Sequence, residues 1–518
     1  MTGEPTLHSA LYNLHSTLYT LQSTFYNQPL ILLNWKAILR FLGIPLIAEG
    51  FAMLLCLIPA LHFSDGTALA VLASGVFTLV CGGLLLLQIP KTSVSDRRTP
   101  FVMVVVLWIV LALFGAIPFL VSGPVLGFAD AFFESMSGLT STGATIFPQV
   151  EALPASLLFW RSVMQWVGGF GIILLVLAIT PSLGINKYSL YTAEASGADN
   201  TGKTTTSLGA TIRRMLVVYL VLTAVFVVAF LVSGMHLWDA VNLVFTNVSS
   251  GGFSIYNDSA ASLTIAQQYL LALTMFCSGI NFALIYSFFT FKWKRLHGKM
   301  EQFRFYILLC VTVSVLSSCV LHFRMGDSWS EAFRCGILQS ISMLTTTGSL
   351  AADTSLWWTP LAFLFVLLSL CGGMAGSTTG GLKIMRVMIL FRNVSSTLSD
   401  RIHPHAVNPV RLNGKPVSED LVKNVMVTTF VYFSTLFLCV MALMLCGINA
   451  TESIGATVGC ITGYGPGLGL SGGFGSYTAF TVSAKFVCSF VMLLGRLECL
   501  TVLILFSRSF WKGAFHHK

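Results

Sequence analysis

Four short runs of the sequence combine hydroxyl side chains with glycine and could together bind a dehydrated cation. Glycine permits backbone conformations that aim carbonyl oxygens at a common axis, and Ser and Thr add hydroxyl oxygens. Hard monovalent cations prefer such oxygens to imidazole or thiolate. A set of carbonyl-lined loops can replace the hydration shell of an ion. The runs are STGAT at 141–145, SSGGF at 249–253, TTGSL at 346–350 and TGYGP at 462–466.

One glycine in each run is the predicted centre of an ion filter. These glycines, Gly143, Gly251, Gly348 and Gly465, lie 108, 97 and 117 residues apart. For one run, a simpler interpretation is that small residues only allow close helix packing. Four runs in register favour the filter. Its predicted residues are Ser141, Thr142, Gly143, Ser249, Ser250, Gly251, Thr346, Thr347, Gly348, Gly463, Tyr464 and Gly465.

The elements that must position these runs are membrane helices. The chain has 518 residues, of which 55% are hydrophobic and 9% charged, and its mean hydropathy is +0.81. This composition is typical of an integral membrane protein, and continuous apolar runs favour helices over alternating β-strands. Spans are predicted at 41–61, 67–89, 101–122, 155–180, 213–234, 265–291, 303–323, 357–392, 421–447 and 477–507.

The order of the spans reveals an internal fourfold repeat. Each unit has a span, a short polar helix, a glycine run and a second span, so the predicted fold is an all-α polytopic membrane protein with one pseudo-fourfold pore. The short helices begin near Asp130, Asp239, Glu331 and Glu452, where a carboxylate favours a helix N-terminus. These residues precede the key glycines by 13, 12, 17 and 13 residues, which predicts a third short helix one turn longer.

The predicted division of the chain has six parts. Residues 1–35 repeat every seven residues and predict an amphipathic helix in the membrane interface, with a coiled coil as the alternative. Residues 36–100 hold two extra transmembrane helices. The four repeats then occupy 101–210, 211–300, 301–418 and 419–518.

The charge distribution predicts the topology. The formal net charge is +9, and Lys and Arg cluster between the repeats, whereas acidic residues such as Glu134 and Glu151 flank the glycine runs. By the positive-inside rule both termini are cytoplasmic and the glycine runs open outward, where the acidic residues would enrich cations. A nucleic-acid partner is therefore not expected. The 12 Cys lack metal-ligand spacing and are interpreted as buried hydrophobic residues.

Four long motifs stand out in the sequence: GLTSTGAT at 138–145, LTTTGSLAAD at 344–353, GGMAGSTTGGLKIMR at 372–386 and HPHAVNPVRLNGKPV at 403–417. With them, residues 38–512 resemble the Trk/Ktr/HKT superfamily of potassium transporters, and in particular the bacterial Trk-type membrane subunit. The resemblance implies potassium uptake across the cell inner membrane, with K⁺ as the transported ion and no covalent cofactor. It also implies a homodimer and cytosolic nucleotide-binding (RCK/TrkA-like) regulatory subunits on the basic loops. Within this family, glycine at all four key positions implies a preference for potassium.

A glycine-rich run interrupts the second span of repeat 3. Each glycine costs about 1 kcal/mol in a helix relative to Ala, so a break is expected. A tightly packed kink is one interpretation, and the resemblance implies instead a flexible gate beneath the filter. The predicted gate residues are Gly372, Gly373, Met374, Ala375, Gly376, Ser377, Thr378, Thr379, Gly380 and Gly381, together with Arg496.

Arg496 is a charged residue within the last span and must face a cavity or a partner. The resemblance implies a place in the pore below the filter, as an electrostatic barrier to cations. Glu498 could pair with it, although residues two apart on a helix do not face each other. Lys485 is expected to extend toward the membrane surface.

Two other functions compete with a gated pore. Residues 197–204, GADNTGKT, match a P-loop pattern, but the strand and helix that this motif requires are not predicted around it, so an enzyme is not expected. The stronger alternative is an alternating-access symporter that couples K⁺ to H⁺ or Na⁺, which would use broken helices at a midplane site.

Overall fold

The computed structural model describes residues 33–89, 98–123, 127–179, 208–290, 300–403 and 408–511. The predicted amphipathic segment 1–35 lies outside the described residues except for its last three. The P-loop-like run 197–204 and much of the basic connections also lie outside them.

Two helices precede the repeats, as predicted. They are α1, Trp35–Leu55, extended by the short α2, Leu57–His62, and α3, Ala68–Gln88. Helices α1 and α3 contact each other through glycines. A Cβ added to Gly50 would lie 2.9 Å from the Gly75 carbonyl oxygen. Such small residues let two apolar helices approach closely in a membrane, where hydrophobic burial alone does not hold helices together.

Four copies of one helical unit follow, which confirms the predicted fold. Repeat 1 comprises α4 Thr99–Gly115, α5 Ile117–Val121, α6 Phe128–Leu139 and α7 Ala155–Ile179. Repeat 2 comprises α8 Leu208–Val232, α9 Leu237–Val248, α10 Ile265–Ser278 and α11 Phe282–Phe289. Repeat 3 comprises α12 Glu301–Val320, α13 Trp329–Leu344, α14 Thr359–Cys371 and α15 Ile384–Ile402. Repeat 4 comprises α16 Glu419–Leu445, α17 Ala450–Thr462, α18 Val482–Arg496 and α19 Cys499–Leu503.

The short helices α6, α9, α13 and α17 each carry the predicted acidic residue in their first turn. Two of them are also capped by side chains, since Ser328 and Asn449 accept hydrogen bonds from the third residue of the helix that follows. Helix α13 has 16 residues, against 12, 12 and 13 in the others. The predicted extra turn of the third short helix is confirmed.

The second helices differ from the prediction in repeats 2 and 4. Continuous spans at 265–291 and 477–507 were expected, but α10 and α11 meet at 102° and α18 meets the following helical segment at 113°. Asn281 caps the N-terminus of the helix that follows the first bend, since its side chain accepts hydrogen bonds from the backbone N–H groups of Ala283 and Leu284. Glu498, with φ of 59°, breaks the second helix. With the expected break in repeat 3, three second helices are discontinuous.

The described helices have the surface of a membrane protein. Six are long and apolar enough to span a membrane, or up to eight if each bent pair counts as one span. Large apolar side chains such as Val228, Phe430 and Phe437 are exposed on the outside, whereas Ser and Thr side chains of the glycine runs are buried at the centre. The described strands form a single hairpin, β1 Arg411–Leu412 and β2 Lys415–Pro416, in which Arg411 is opposite Pro416.

Candidate ion-binding site

The four glycine runs converge on a closed ring. One glycine of each run has positive φ, between 71° and 91°, and lies against a carbonyl of the next run. A Cβ would therefore collide with that carbonyl oxygen, and only glycine fits. The contacts follow the order of the repeats and return to the first: Gly143 to Gly251, Gly252 to Thr347, Gly348 to Tyr464, and Gly465 to Thr142. We call Gly143, Gly252, Gly348 and Gly465 the glycine ring.

Each run reaches the ring with the same backbone path. The residue two before the ring glycine also has positive φ: 51° at Ser141, 56° at Ser250, 51° at Thr346 and 73° at Gly463. The next N–H donates to the carbonyl five residues earlier in every repeat. These hydrogen bonds are Thr142 to Ser137 (2.9 Å), Gly251 to Thr246 (2.8 Å), Thr347 to Ser342 (2.9 Å) and Tyr464 to Gly459 (3.0 Å).

This common path corrects the predicted residues of repeat 2. Gly252, not Gly251, is equivalent to Gly143, so the predicted triplet Ser249, Ser250, Gly251 begins one residue too early. The Ser249 hydroxyl instead donates back to the Phe245 carbonyl at 2.8 Å, as the Thr140 hydroxyl does to its own helix in repeat 1. Two adjacent glycines made the register ambiguous in the sequence. With Gly252, the interval from Asp239 becomes 13 residues, the value found in repeats 1 and 4.

One side of the ring opens into a cavity of about 70 Å³, to which all four runs contribute, through Gly143, Gly252, Gly348 and Pro466. Since roughly 10–15 Å³ of such space holds one water, a hydrated cation can be accommodated here. We call this the open side of the ring.

The glycine-rich run, residues 372–381, lies against the opposite side. The Thr378 hydroxyl is 2.8 Å from the Ser250 hydroxyl and also donates to the Val248 carbonyl at 3.1 Å. The Gly380 N–H donates to the Thr346 hydroxyl at 2.7 Å. A Cβ at Gly380 would collide with the Thr462 carbonyl oxygen. The glycine-rich run therefore touches the glycine runs of repeats 2, 3 and 4.

The bend in repeat 2 holds this run in place. The Asn281 amide donates to the Ala375 carbonyl at 2.6 Å, and the Phe282 N–H donates to the Gly376 carbonyl at 3.1 Å. On the other side of the bend, the Gly279 carbonyl accepts from the Met374 N–H at 3.0 Å. The unpredicted bend between α10 and α11 thus supplies the backbone partners that a glycine-rich segment lacks when it leaves a helix.

Arg496 completes the same side of the ring. Its guanidinium donates to the Thr378 carbonyl at 3.2 Å, to the Gly168 carbonyl at 2.9 Å and to the Ser141 hydroxyl at 3.4 Å. Its Nε has no partner among the described residues. Arg496 therefore faces carbonyl and hydroxyl oxygens, and its positive charge lies beside both the glycine-rich run 372–381 and the glycine run of repeat 1.

The suggested pairing of Arg496 with Glu498 is wrong. The Glu498 carboxylate pairs with Arg386, at 2.8 and 2.9 Å, because the break after α18 turns the two neighbouring side chains in different directions. Arg386 belongs to α15, the helix that follows the glycine-rich run. The pair therefore links this helix to the bend in repeat 4.

The expected position of Lys485 is also wrong. Its side chain is only 8% exposed, and its Nζ lies 2.6 Å from the Asp130 carboxylate and donates to the Thr478 carbonyl at 3.1 Å. A carboxylate in the first turn of α6 thus holds the ammonium inside the protein. An ion pair of this kind removes the advantage of extending to the surface.

Glu134, expected among the acidic residues outside, is fully buried beside the ring. Its carboxylate lies 2.7 Å from Arg161 Nε and accepts from the Ile146 N–H at 3.0 Å. Arg161 also donates to the Ser254 carbonyl at 2.9 Å and stacks over the ring of Phe253, 4.0 Å from its centroid. The Arg161–Glu134 pair connects the glycine runs of repeats 1 and 2 and was not predicted from the sequence.

Two more side chains at the ring were missed. Gln165 donates to the Gly251 carbonyl at 2.9 Å, and the Tyr477 hydroxyl donates to the Gly465 carbonyl at 2.8 Å. Polar residues such as Arg161 and Gln165 inside an apolar span are a usable signal, since such residues are rare there and face the interior. Tyr477 lies outside the helices and carried no comparable signal.

Fold and ring together define a polytopic membrane transport protein of pseudo-fourfold symmetry. The chain matches the TrkH family, described as cation transport protein, over residues 68–518. The Trk system potassium uptake protein TrkH of Salmonella typhimurium is 32% identical over 486 residues, which cover 93% of this chain and 100% of that protein. The Trk system potassium uptake protein TrkG of Escherichia coli is 31% identical over 473 residues, 90% of this chain and 96% of that protein.

The chain therefore belongs to the TrkH family of cation transport proteins. The crystal structure of the potassium transporter TrkH from Vibrio parahaemolyticus superposes with a TM-score of 0.84 at 30% identity, and covers 92% of this chain and 100% of that chain. The resemblance found in the sequence is confirmed, as is the expectation of a transporter and not an enzyme.

Proposed function

We propose that this protein takes up potassium across the cell inner membrane, with the glycine ring as its selectivity filter. The observation that carries the proposal is the closed ring of carbonyl contacts among all four repeats. The relatives are named potassium uptake proteins, which supports K⁺ as the transported ion. The membrane voltage can drive uptake, since about 2.3 kcal/mol per charge is available per 100 mV.

The proposed ligands are backbone carbonyl and hydroxyl oxygens of the four runs. The carbonyls that precede the ring glycines belong to Thr142, Gly251, Thr347 and Tyr464. Glycine at each ring position lets the carbonyl of the neighbouring run lie where a Cβ would collide with it, and the resemblance to the superfamily implies a preference for K⁺ over Na⁺. The corrected set replaces Ser249 with Gly252 and keeps the other predicted residues.

The glycine-rich run and Arg496 form the proposed gate. Both lie against the side of the ring that faces away from the cavity, and a fixed positive charge there opposes a passing cation. Conduction requires that the run and the guanidinium move away from Ser250, Thr346 and Ser141. The glycine-rich run meets the ring through neutral hydrogen bonds, each worth about 0.5–1.5 kcal/mol, whereas the contacts of Arg496 have a charged donor and cost about 1.5–3 kcal/mol each to break.

The proposed orientation has both termini in the cytoplasm and the open side of the ring outside. The proposed parts of the chain are residues 1–35, 36–100, 101–210, 211–300, 301–418 and 419–518. A homodimer and cytosolic nucleotide-binding (RCK/TrkA-like) subunits on the basic loops are the proposed assembly. Copurification with each partner tests it.

A second candidate function is alternating-access symport with H⁺ or Na⁺. Three discontinuous second helices favour it, since symporters often bind ions at broken helices. Purified protein in vesicles distinguishes the two functions. A gated pore gives K⁺ flux that follows the K⁺ gradient and the voltage alone, whereas a symporter gives flux that an imposed proton or sodium gradient drives without them.

The filter itself is tested with Gly143→Ser. Gly143 has φ of 83° and contacts the Gly251 carbonyl, so a side chain strains the backbone and pushes the neighbouring run away. The measurement is the K⁺/Na⁺ permeability ratio under bi-ionic gradients. We expect a fall of at least fivefold, and an unchanged ratio in a folded variant would contradict the filter.

A further inference from the structure

The glycine ring is not fourfold symmetric in its hydrogen bonds. The four carbonyls that precede the ring glycines are equivalent in the backbone. Within the part of the chain that the structure describes, only that of Gly251 accepts a side-chain hydrogen bond, from Gln165 at 2.9 Å. Among the described residues, no hydrogen bond is found to the corresponding carbonyls of Thr142, Thr347 and Tyr464. One carbonyl of this layer therefore differs from the other three.

The orientation of the Gln165 amide follows from its second contact. The Phe253 N–H lies 3.1 Å from Gln165 Oε1, and a backbone N–H can only donate. The amide oxygen must therefore face Phe253, so that the NH₂ group faces the Gly251 carbonyl. Gln165 is fully buried on α7, and its two contacts lie on either side of the ring glycine Gly252.

Glycine is required at each of the two adjacent positions of repeat 2, for a different structural reason at each. Gly252 has positive φ and belongs to the ring. Gly251 does not have positive φ, but a Cβ there would lie 2.7 Å from Gln165 Nε2. Gly251 is therefore needed to admit Gln165.

Repeat 4 lacks this contact. Gly168 of α7 and Gly495 of α18 make equivalent contacts, with the carbonyls of Leu139 and Ile461 at the ends of their short helices. Counting three residues back from each glycine, Gln165 corresponds to Met492, which is buried and apolar. Among the described residues, a side-chain hydrogen bond to the carbonyl that precedes a ring glycine is therefore found only where repeat 1 meets repeat 2.

We propose that Gln165 is a positioning residue that sets the ion selectivity of the ring, an inference that rests on the proposed filter. The Gln165 amide fixes the position of the Gly251 carbonyl, and its hydrogen bond occupies one lone pair of that carbonyl oxygen. Selectivity among monovalent cations depends on the number, field strength and mobility of the carbonyls around the ion. A released carbonyl moves closer to the axis and presents a stronger field, which favours the smaller Na⁺.

The test compares Gln165→Met, which places the repeat 4 residue in repeat 1, with the matched control Gln268→Met. Gln268 is also fully buried, and its amide donates to the Ala260 carbonyl at 2.9 Å and the Leu263 carbonyl at 3.1 Å, neither of which belongs to a glycine run. Both proteins are reconstituted in vesicles, and the K⁺/Na⁺ permeability ratio is measured under bi-ionic gradients. We expect a fall of at least fivefold for Gln165→Met, with K⁺ flux retained, and less than twofold for Gln268→Met.

An unchanged ratio in Gln165→Met, or an equal fall in both variants, overturns the inference. If Gln165→Met does not give a monodisperse protein, Gly251→Ala decides, because its Cβ displaces Gln165 without requiring an unfavourable φ, and the same fall is expected. A wild-type protein without K⁺ selectivity would contradict the proposed function. A selective wild type with an unaffected Gln165→Met or Gly251→Ala would contradict only this inference.

Discussion

Replacement of Arg161 with Met should strongly destabilise the protein. The side chains of Arg161 and Glu134 are 2% and 0% exposed, so the variant leaves a carboxylate buried without its cation. Breaking a buried ion pair in this way costs about 3–5 kcal/mol. The variant also loses the hydrogen bond to the Ser254 carbonyl, which is worth about 1 kcal/mol.

A second substitution should restore much of this loss. In Arg161→Met/Glu134→Gln the buried charge is gone, while the Gln oxygen still accepts from the Ile146 N–H, now 3.0 Å from the carboxylate. A pair replaced on both sides is often nearly neutral. We therefore expect the double variant to recover at least half of the stability that the single variant loses.

The assay is the midpoint temperature for loss of the monodisperse peak on size-exclusion chromatography in detergent. At about 2 °C per kcal/mol for a long chain, the single variant should shift by about 8–12 °C. The control is Lys423→Met, which breaks an exposed pair with Glu419, 3.7 Å apart, and should not shift the midpoint measurably. A single variant as stable as wild type, or a double variant no better than the single, would refute the reasoning.

Two further predictions concern the gate and the ring. Arg496→Ala should raise K⁺ flux in vesicles severalfold, because it removes the positive charge beside Thr378. Shortening the run 376–380 should leave the pore leaky. Unchanged K⁺ flux in both variants would contradict the proposed gate. Tyr477→Phe should lower thermal stability by about 1 kcal/mol and reduce the K⁺/Na⁺ ratio, since the Gly465 carbonyl loses its donor; a normal ratio would limit Tyr477 to a role in stability.

Local patterns explain what could be predicted. The acidic residues that begin the short helices, the glycines that follow them and the extra turn of α13 all depend on spacing along one segment. The break at residues 372–381 likewise depends on local glycine content. Apolar length predicted that spans exist, but the bends at Asn281 and Glu498 did not follow from it, because each break is stabilised by partners from other parts of the chain.

The contacts at the ring could not be predicted in this way. Of the two adjacent glycines of repeat 2, the sequence pattern favoured Gly251, and the Gly252–Thr347 contact and the Gln165 hydrogen bond show that Gly252 belongs to the ring. Lys485 was expected to reach the membrane surface because it lies near the end of its span, and Glu134 was expected outside because it lies beside a glycine run. Their partners, Asp130 and Arg161, are 355 and 27 residues away in sequence.

Hydropathy and residue spacing along the chain already identify a helical membrane protein with four related units, each with an oxygen-rich glycine run. These features are encoded locally, within each segment. The folded chain was needed to show which glycines meet, which carbonyl Gln165 contacts and which charges are paired inside. A carbonyl or a charge is compensated through space, by groups that the repeats bring together from distant parts of the chain.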